Sequence, residues 1–481
     1  MASASNDLRP LWPGFVYKPH QETGIRWMLD REDPLRIERG GLLCDEMGLG
    51  KTMEVIGMML NSRKLETLLL CPKAVVAQWR SAAIRAHINV CEPSPTANGW
   101  LRPARYTAGA PILFITNYEK LVGHPTLGKR SWSRIVLDEA HRVKNKAGQL
   151  YQSIAALEHR SLWAVTATPI INDLRDIRAL LSLVGYESGP LTSYIRLTEV
   201  VSEACLHRSM EEMRPVMPEL PDAPRIEKKK LDFLTEEEAE FYRGAQGLIM
   251  RRWRALEADN SRAMFQMLMR LRQLSLHPQI YINARKRESR FYDRPDWYAP
   301  STKFIALQGE LAAAEEPAKW IVFCQFHEEM EMLAEQLEGE ATVWQYHGGM
   351  SAADKEAVLK GTLVPVSGGH QVLLLQLQSG GVGLNLQHFT KIIFMSPWWT
   401  SALMDQAIGR AVRIGQKETV TVTMLVLKEE ETMNIDAKML EKAEKKRGML
   451  EMLFTYANKG EAIQPHDTAE EPQNGDDEDP K

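Results

Sequence analysis

The sequence predicts an α/β protein of two tandem lobes, each built on a parallel sheet, with an all-helical insert between them. Three observations lead there. Short apolar runs alternate with segments of helical periodicity in both the first and the last third of the chain, as in parallel strands covered by helices on both faces. Between those regions, residues 235–277 carry only the three- and four-residue apolar spacing of helices. A length of 481 residues also exceeds what one core serves, and suggests about three structural units at ~150 residues each.

In the first lobe, residues 41–44, 68–71, 112–115 and 135–137 read as buried strands, separated by helical segments such as 53–60 and 77–84. A further strand-like run at 163–166 leads into an amphipathic segment at 173–183. Prolines then crowd into Arg214-Pro-Val-Met-Pro-Glu-Leu-Pro-Asp-Ala-Pro224, which can neither continue a helix nor sit in a central strand. The first lobe is therefore assigned to residues 1–224, and the helical insert with its linker to 225–300. Within the insert, Met264, Met267, Leu268, Leu271 and Leu274 form a stripe that reads as packing. The second lobe, 301–458, has strand-like runs at 320–324, 342–346, 372–376, 391–395 and 419–427. Its closing helical stretch, 429–453, is dense in lysine and glutamate, and its few apolar residues are expected to face the second lobe.

Composition narrows the class. Apolar residues make up 44% and charged residues 25%, which suits a globular protein with a sizeable core. No apolar stretch approaches the ~18 residues of a membrane span, and the N-terminus lacks a basic segment followed by an apolar one. The expectation is an intracellular protein, nuclear if eukaryotic, with no membrane partner. Five cysteines without a Cys-x-x-Cys pair suggest neither disulfides nor zinc; Cys44, Cys71 and Cys324 fall in or beside apolar runs and read as small buried hydrophobes. The net charge is −4, but residues 461–481 alone carry −7, which leaves +3 on residues 1–460. A mildly basic body agrees with a local basic groove along a phosphate backbone. The acidic tail, 459–481, is too polar to bury and is expected to be disordered.

The residues that carry chemistry begin at Asp45-Glu-Met-Gly-Leu-Gly-Lys-Thr52, set between a strand and a helix. Backbone N–H groups across Asp45, Met47, Gly48, Leu49 and Gly50 can cradle phosphate at a helix N-terminus, Lys51 can reach the terminal phosphates and Thr52 can ligate Mg²⁺. Asp45 stands where the general pattern has its first glycine. Asp138-Glu-Ala-His141 follows the strand 135–137. There Asp138 suits the metal, and Glu139 suits orienting or deprotonating the attacking water. Together these elements point to ATP and Mg²⁺, with His141 as a link between nucleotide and nucleic acid.

Two further stretches bring a family into view. Thr166-Ala-Thr-Pro169, followed by Asn172, resembles motif III of superfamily-two helicases, and Gln406-Ala-Ile-Gly-Arg-Ala-Val-Arg-Ile-Gly-Gln416 resembles motif VI of their Swi/Snf branch. On a helix, Arg410 and Arg413 would share one face and serve as arginine fingers. Tyr17-Lys-Pro-His-Gln-Glu-Thr-Gly-Ile-Arg-Trp27 is similar to the Q motif, with Gln21 placed to read adenine. Residues 71–79, 115–121, 322–326 and 379–386 resemble motifs Ia, Ib, IV and V.

The resemblance implies two RecA-like lobes, catalytic roles for Lys51, Asp138, Glu139, Gln406, Arg410 and Arg413, and coupling through His141, Thr166 and Thr168. It implies backbone contacts to nucleic acid from Lys73, Thr116, Asn117, Ser379 and Gly380, and translocation on double-stranded DNA without strand separation. Nucleosomes, polymerases or other DNA-bound proteins would then be the obstacles met. Residues 132–145 and 397–402 look most like the post-replication-repair subgroup, although the cysteine pattern leaves no RING insert and ligase activity is not carried over. Ala167, Ile171, Gly409 and Val412 depart from the common pattern and bear on coupling efficiency and substrate subtype. A strand-separating DNA or RNA helicase, or a non-catalytic scaffold on chromatin or a transcription complex, remain the alternative readings.

Overall fold

Eight strands form the first sheet: β1 (Gly40–Leu43), β2 (Glu66–Cys71), β3 (Asn89–Pro93), β4 (Trp100–Leu101), β5 (Ile112–Asn117), β6 (Arg134–Asp138), β7 (Leu162–Val165) and β8 (Cys205–Leu206). They lie in the order β4-β3-β5-β2-β6-β7-β1-β8, and every pair is parallel except β3 with β4. The computed structural model describes residues 8–95, 99–255, 260–366, 368–377, 384–428 and 434–459. The strands read from apolar runs are all present. Alternate residues of each fill opposite faces: Leu68 and Leu70 of β2 join Ile135 and Leu137 of β6 in one core, while Leu69 and Val136 are buried on the other side. Gly40 has φ +123°, and a Cβ there would stand 1.9 Å from the carbonyl oxygen of Leu162. Only glycine can begin β1 so close to β7.

The second sheet contains β9 (Arg225–Leu231), β10 (Lys319–Cys324), β11 (Ala341–Tyr346), β12 (His370–Gln376), β13 (Lys391–Phe394) and β14 (Thr421–Leu427). Its order is β11-β12-β10-β13-β14-β9, parallel throughout. Val372 and Leu374 of β12 face one core, Leu373 and Leu375 the other. The protein is thus α/β with two parallel-sheet units, as expected.

The unit boundaries differ from those expected. The chain divides into residues 1–215 with 446–481, and residues 216–445. Residues 225–300 do carry the expected helices, Glu236–Arg254, Ser261–Leu276 and Pro278–Glu288. They are not a separate body: Phe241, Tyr242, Leu271, Leu274 and Ile280 pack in the same core as β10 and β12. The segment also opens on a strand, β9, which pairs with β14 over its whole length. With five of its seven residues exposed, Arg225-Ile-Glu-Lys-Lys-Lys-Leu231 hides an edge strand behind a charged sequence. The closing helix, Ile435–Lys459, also departs from expectation. Ile435 and Ala443 pack in the second unit, but Leu453, Phe454 and Ala457 belong to the core of the first. There Phe454 stacks on His207 at 4.1 Å.

Each unit contains a buried ion pair. In the second, Lys303 and Asp436, both fully buried, meet at 2.7 Å. Asp436 also accepts from Ser275 Oγ and from the Leu427 backbone, so one carboxylate ties three helices to the end of β14. In the first, Glu32 accepts from Arg134 Nε at 2.6 Å and Nη2 at 2.5 Å, from Ser161 Oγ and from Trp163 Nε1. Arg134 donates onward to Thr67 and Ser62. The cluster joins the starts of β2, β6 and β7, opposite the strand ends that carry Asp138 and Thr166.

Burial pushes the Glu32 carboxyl up, but Arg134 and Lys64 with the Trp163 N–H outweigh it and hold it at about 2, below its ordinary 4.5. The contribution of Glu32 to stability is therefore complete above about pH 4.5 and lost as pH falls toward about 2. Glu32→Gln, which strands the buried guanidinium, should destabilise the first unit by about 3 kcal/mol at pH 7 and flatten that acid dependence. Urea denaturation followed by tryptophan fluorescence at stepped pH measures both, and an unchanged midpoint would show that Ser62 and Thr67 satisfy Arg134 alone.

Candidate active site and nucleic-acid edge

The strand ends of the first sheet are level. Leu43 pairs with Val165, Val165 with Asp138, and Cys71 with Asn117. The residues that follow those ends are the phosphate loop after β1, Thr166 after β7, Glu139 after β6 and Lys73 after β2. All lie along the C-terminal edge of the sheet, where open α/β folds bind ligands. β1 and β6 are two strands apart, about 10 Å, so the loop and the acids face one another across β7.

The loop's form follows from two residues with positive φ, Gly48 at +94° and Gly50 at +90°. Gly50 caps the helix Lys51–Asn61 in the left-handed conformation, and a Cβ there would meet Gln21 Nε2 at 2.5 Å. Gln21 braces the loop: its amide donates to the Leu49 carbonyl at 3.3 Å and accepts from the Lys18 backbone, while His20 Nε2 lies 2.8 Å from the same Leu49 oxygen. Leu49 itself is a fully buried anchor. Half-buried Met47 and Thr52 flank the turn. Lys51 Nζ donates to the carbonyls of Asp45 at 2.6 Å and Glu46 at 3.2 Å, which folds it over the loop.

Asp138 accepts from Trp79 Nε1 at 2.6 Å and from the Glu139 backbone N–H at 3.0 Å. Burial, and next the adjacent Glu139 charge, push its carboxyl up to about 7 against the pull of Trp79 and Lys51. A carboxyl so desolvated, with a hydroxyl at Thr52 and the ammonium of Lys51 nearby on the same edge, is a donor set that suits a divalent cation carrying phosphate. Glu139 adopts φ +52°, ψ +49°, a left-handed conformation that is uncommon outside glycine. Its Oε2 stands 3.4 Å from His141 Nδ1. That nitrogen also lies 3.1 Å from Thr166 Oγ1 and 3.4 Å from Thr168 Oγ1, and the Thr166 hydroxyl accepts from the Thr168 backbone. The structure thus brings His141 together with Thr166 and Thr168, 25 and 27 residues further along the chain. Burial, then the charges of Lys144 and Arg142, lower the His141 imidazole to about 4, so it is neutral at physiological pH.

The candidates for nucleic-acid contact divide. Lys73 is exposed at the start of a short 3₁₀ turn, two residues beyond Cys71, the register partner of Asn117. Asn117 caps the helix Tyr118–Gly123 through its side chain, and Thr116 is buried at 3% exposure, with its hydroxyl facing inward. Ser379 and Gly380 lie outside the described residues.

In the second unit, the expected helical face of Arg410 and Arg413 is not formed. The helix Ser401–Ile408 stops at Gly409, and residues 410–415 form turns. Arg413 Nε reaches back to the Gly409 carbonyl at 2.9 Å and closes the exposed helix end, which supplies the physical reason. Glutamine amides hold the turn: Gln387 donates to the Ile414 carbonyl at 2.6 Å and Gln416 to the Gln387 carbonyl at 2.8 Å. Arg410 and Gln406 are buried, at 5% and 8% exposure. Burial lowers the Arg413 guanidinium below its ordinary value.

Sequence reasoning missed Arg208, Trp79 and Tyr118. Tyr118 donates to the Asp138 carbonyl at 2.6 Å, and Arg208 binds both Asp45 and Glu54. The available signal was indirect: Asp45 directly follows an apolar strand and Glu54 lies among the apolar residues of the next helix, and two buried carboxylates require a cation. Which cation could not be read.

Residues 20–193 match the SNF2-related domain and residues 302–415 the helicase conserved C-terminal domain. The chain is 26% identical to the probable global transactivator of Orgyia pseudotsugata multicapsid polyhedrosis virus, covering 90% of this chain and 91% of that one. It is 26% identical to the probable ATP-dependent DNA helicase CHR23 of Arabidopsis thaliana over 91% of this chain and 43% of the relative. It is 24% identical to the DNA repair protein RAD5 of Candida albicans over 85% of this chain and 55% of the relative. The chain therefore spans nearly all of the viral relative but only about half of the other two. With both domains present in order, and the phosphate loop and the Asp138-Glu-Ala-His141 edge assembled within the first, the chain belongs to the Swi/Snf-type family of ATP-dependent helicases and translocases.

Proposed function

We propose that the protein hydrolyses ATP with Mg²⁺ and uses the cycle to track along double-stranded DNA, remodelling protein–DNA complexes or DNA structures. The observation that carries this reading is the alignment of the phosphate loop, Asp138, Glu139, His141 and Thr166 on one sheet edge. When bound, MgATP supplies a γ-phosphoryl group whose charge the cation helps to neutralise. Lys51, now on the loop carbonyls, would reach the phosphates, and Thr52 and Asp138 would hold the cation. Glu139, held beside His141 by its strained backbone, orients water for attack. Arg410 and Arg413, with Gln406 beside them, supply the charge that stabilises the transition state.

Coupling runs through His141. A neutral imidazole between Glu139 and the Thr166–Thr168 hydroxyls can respond to a shift at either side without a change of charge. Among the described candidates for the DNA backbone Lys73 is the best exposed, and contacts of that type position a protein without reading sequence. Two relatives carry DNA in their printed names, a DNA helicase and a DNA repair protein, which supports DNA as the track. The family resemblance favours translocation over strand separation. A nucleosome, a polymerase or another DNA-bound protein would be the load.

Measured as phosphate release, ATP turnover should rise when duplex DNA is added. Lys51→Ala and Glu139→Gln should each lose about 10²-fold or more, and Arg413→Ala about 10³-fold. Unchanged turnover in the first two variants would remove the site, whereas unchanged turnover in the third would remove the second unit from catalysis. Triplex displacement without duplex unwinding would establish translocation; duplex unwinding would make it a strand-separating helicase.

Thr166→Val, which removes the hydroxyl at His141, should lower DNA-stimulated turnover about tenfold, the size of a lost hydrogen bond at a buried polar group, and lower the DNA-free rate less. Equal losses in both rates would show that Thr166 serves the chemistry rather than the coupling.

A further inference from the structure

The departure at the head of the phosphate loop has no explanation in phosphate binding, since a carboxylate at Asp45 would repel phosphate. Asp45 is fully buried. Its carboxylate accepts from Arg208 Nε at 3.0 and 3.1 Å and from Arg208 Nη2. The same Nη2 donates to the buried Glu54 at 2.9 and 3.2 Å, and Nη1 donates to the backbone carbonyl of His20. One guanidinium therefore closes on the loop, on the helix that follows it and on the helix Pro19–Arg31 that carries Gln21. Gly24 of that helix lies against the same cluster: a Cβ there would meet Glu54 Oε2 at 2.5 Å and Arg208 Nη2 at 3.0 Å.

The backbone around Arg208 reinforces the grip. Cys44 N–H donates to the Leu206 carbonyl at 2.7 Å and Glu46 N–H to the Arg208 carbonyl at 2.9 Å. Met210 N–H donates to Glu46 Oε2 at 2.5 Å. The loop's first residues thus continue the β1–β8 pairing past the end of β8, a strand of only two residues.

We propose that Arg208 is a positioning residue for the nucleotide: by closing on Asp45, Glu54 and the His20 carbonyl it fixes the phosphate loop in its binding form. This rests on the reading of residues 45–52 as the ATP site. Gly48 and Gly50 give the loop the turn it needs but also freedom that ligand binding must remove. A loop held in place beforehand loses less on binding. Arginine suits the task because its planar fork can serve two carboxylates and a carbonyl at once, where a lysine offers a single compact charge.

The test uses the full chain. The affinity for mant-ADP in Mg²⁺ buffer is read by fluorescence, KM and kcat by ATP turnover, and folding by circular dichroism. Arg208→Lys keeps a cation between the two buried carboxylates and so preserves the fold, while Arg208→Gln removes it. In Arg208→Lys, Kd and KM should rise about tenfold, while kcat at saturating ATP falls less than about threefold, as loss of charge-assisted hydrogen bonds that act on binding predicts. Arg208→Gln should bind more weakly still. Wild-type affinity in folded Arg208→Lys, or a fall in kcat with KM unchanged, overturns the role. Lys51→Ala separates this from the reading beneath it. Loss of mant-ADP binding in Lys51→Ala but not in the Arg208 variants overturns only the positioning role, whereas undiminished binding in Lys51→Ala overturns the ATP site as well.

Discussion

Phosphoryl transfer tolerates little error in the distance between the loop that grips phosphate and the acids that hold cation and water, and here the β-sheet sets that distance. Leu43, Val165 and Asp138 are in register across three adjacent parallel strands, so loop, Thr166 and Glu139 begin at the same height. A slip of one residue in β6 would carry Asp138 away from the edge and turn Ile135 and Leu137 out of their core. Packing thus enforces the register on which the chemistry depends. Gly40, the one residue type that can start β1 against Leu162, contributes to the same alignment from the opposite end of the strand.

The second constraint is electrostatic. The first unit buries three carboxyl groups close to this sheet, those of Glu32, Asp45 and Glu54, and holds a fourth, Asp138, half-buried at its edge, and each needs an answer to its desolvation. Glu32 is answered by Arg134 at the strand starts, and Asp45 and Glu54 by Arg208 at the strand ends. Among the described residues Asp138 has no arginine or lysine at ion-pair distance; its hydrogen bonds come from Trp79 and the Glu139 backbone. Burial and the like-charged Glu139 push it up to about 7, as burial and the like-charged Asp45 push Glu54 up in spite of Arg208. Glu32, Asp45 and Glu54 each have an arginine partner, and Asp138, which has none, is where a cation can do chemical work.

How much of this was legible in the sequence depended on whether the information was local. Strands β1, β2, β5, β6 and β7 were read because residues buried on both faces give unbroken apolar runs. Strand β9 was not, because a solvent-facing edge strand can be mostly charged. The phosphate loop and Asp138-Glu-Ala-His141 were found from contiguous residues, and His141 and Thr166, which the family resemblance put forward as coupling residues, lie in contact. Arg208 escaped because it is 163 residues from Asp45 and lies in no local pattern of its own. The arginine turn was misjudged for a related reason: spacing of three fits a helical face, but Gly409 ends the helix and Arg413 closes it. The apolar residues of the last helix were assigned to one unit, yet the helix serves both, because Leu453 and Phe454 come after the point at which its packing partner changes.

Glu139 shows how these constraints meet at one residue. A left-handed backbone at a non-glycine residue costs roughly 1–2 kcal/mol, and only two of the described non-glycine residues have positive φ, Glu139 and His87. The kink follows directly on β6 and lets the 3₁₀ turn Ala140–Val143 begin at once, with Ala140 and Val143 buried in the core. An extended Glu139 would carry the chain onward past the sheet edge and draw His141 away from Thr166. Core burial of Ala140 and Val143 thus offsets the strain, and in exchange the carboxylate of Glu139 and the imidazole of His141 are held 3.4 Å apart beside Asp138. The strained residue is the one proposed to orient the attacking water, and its strain is what places His141 within reach of Thr166.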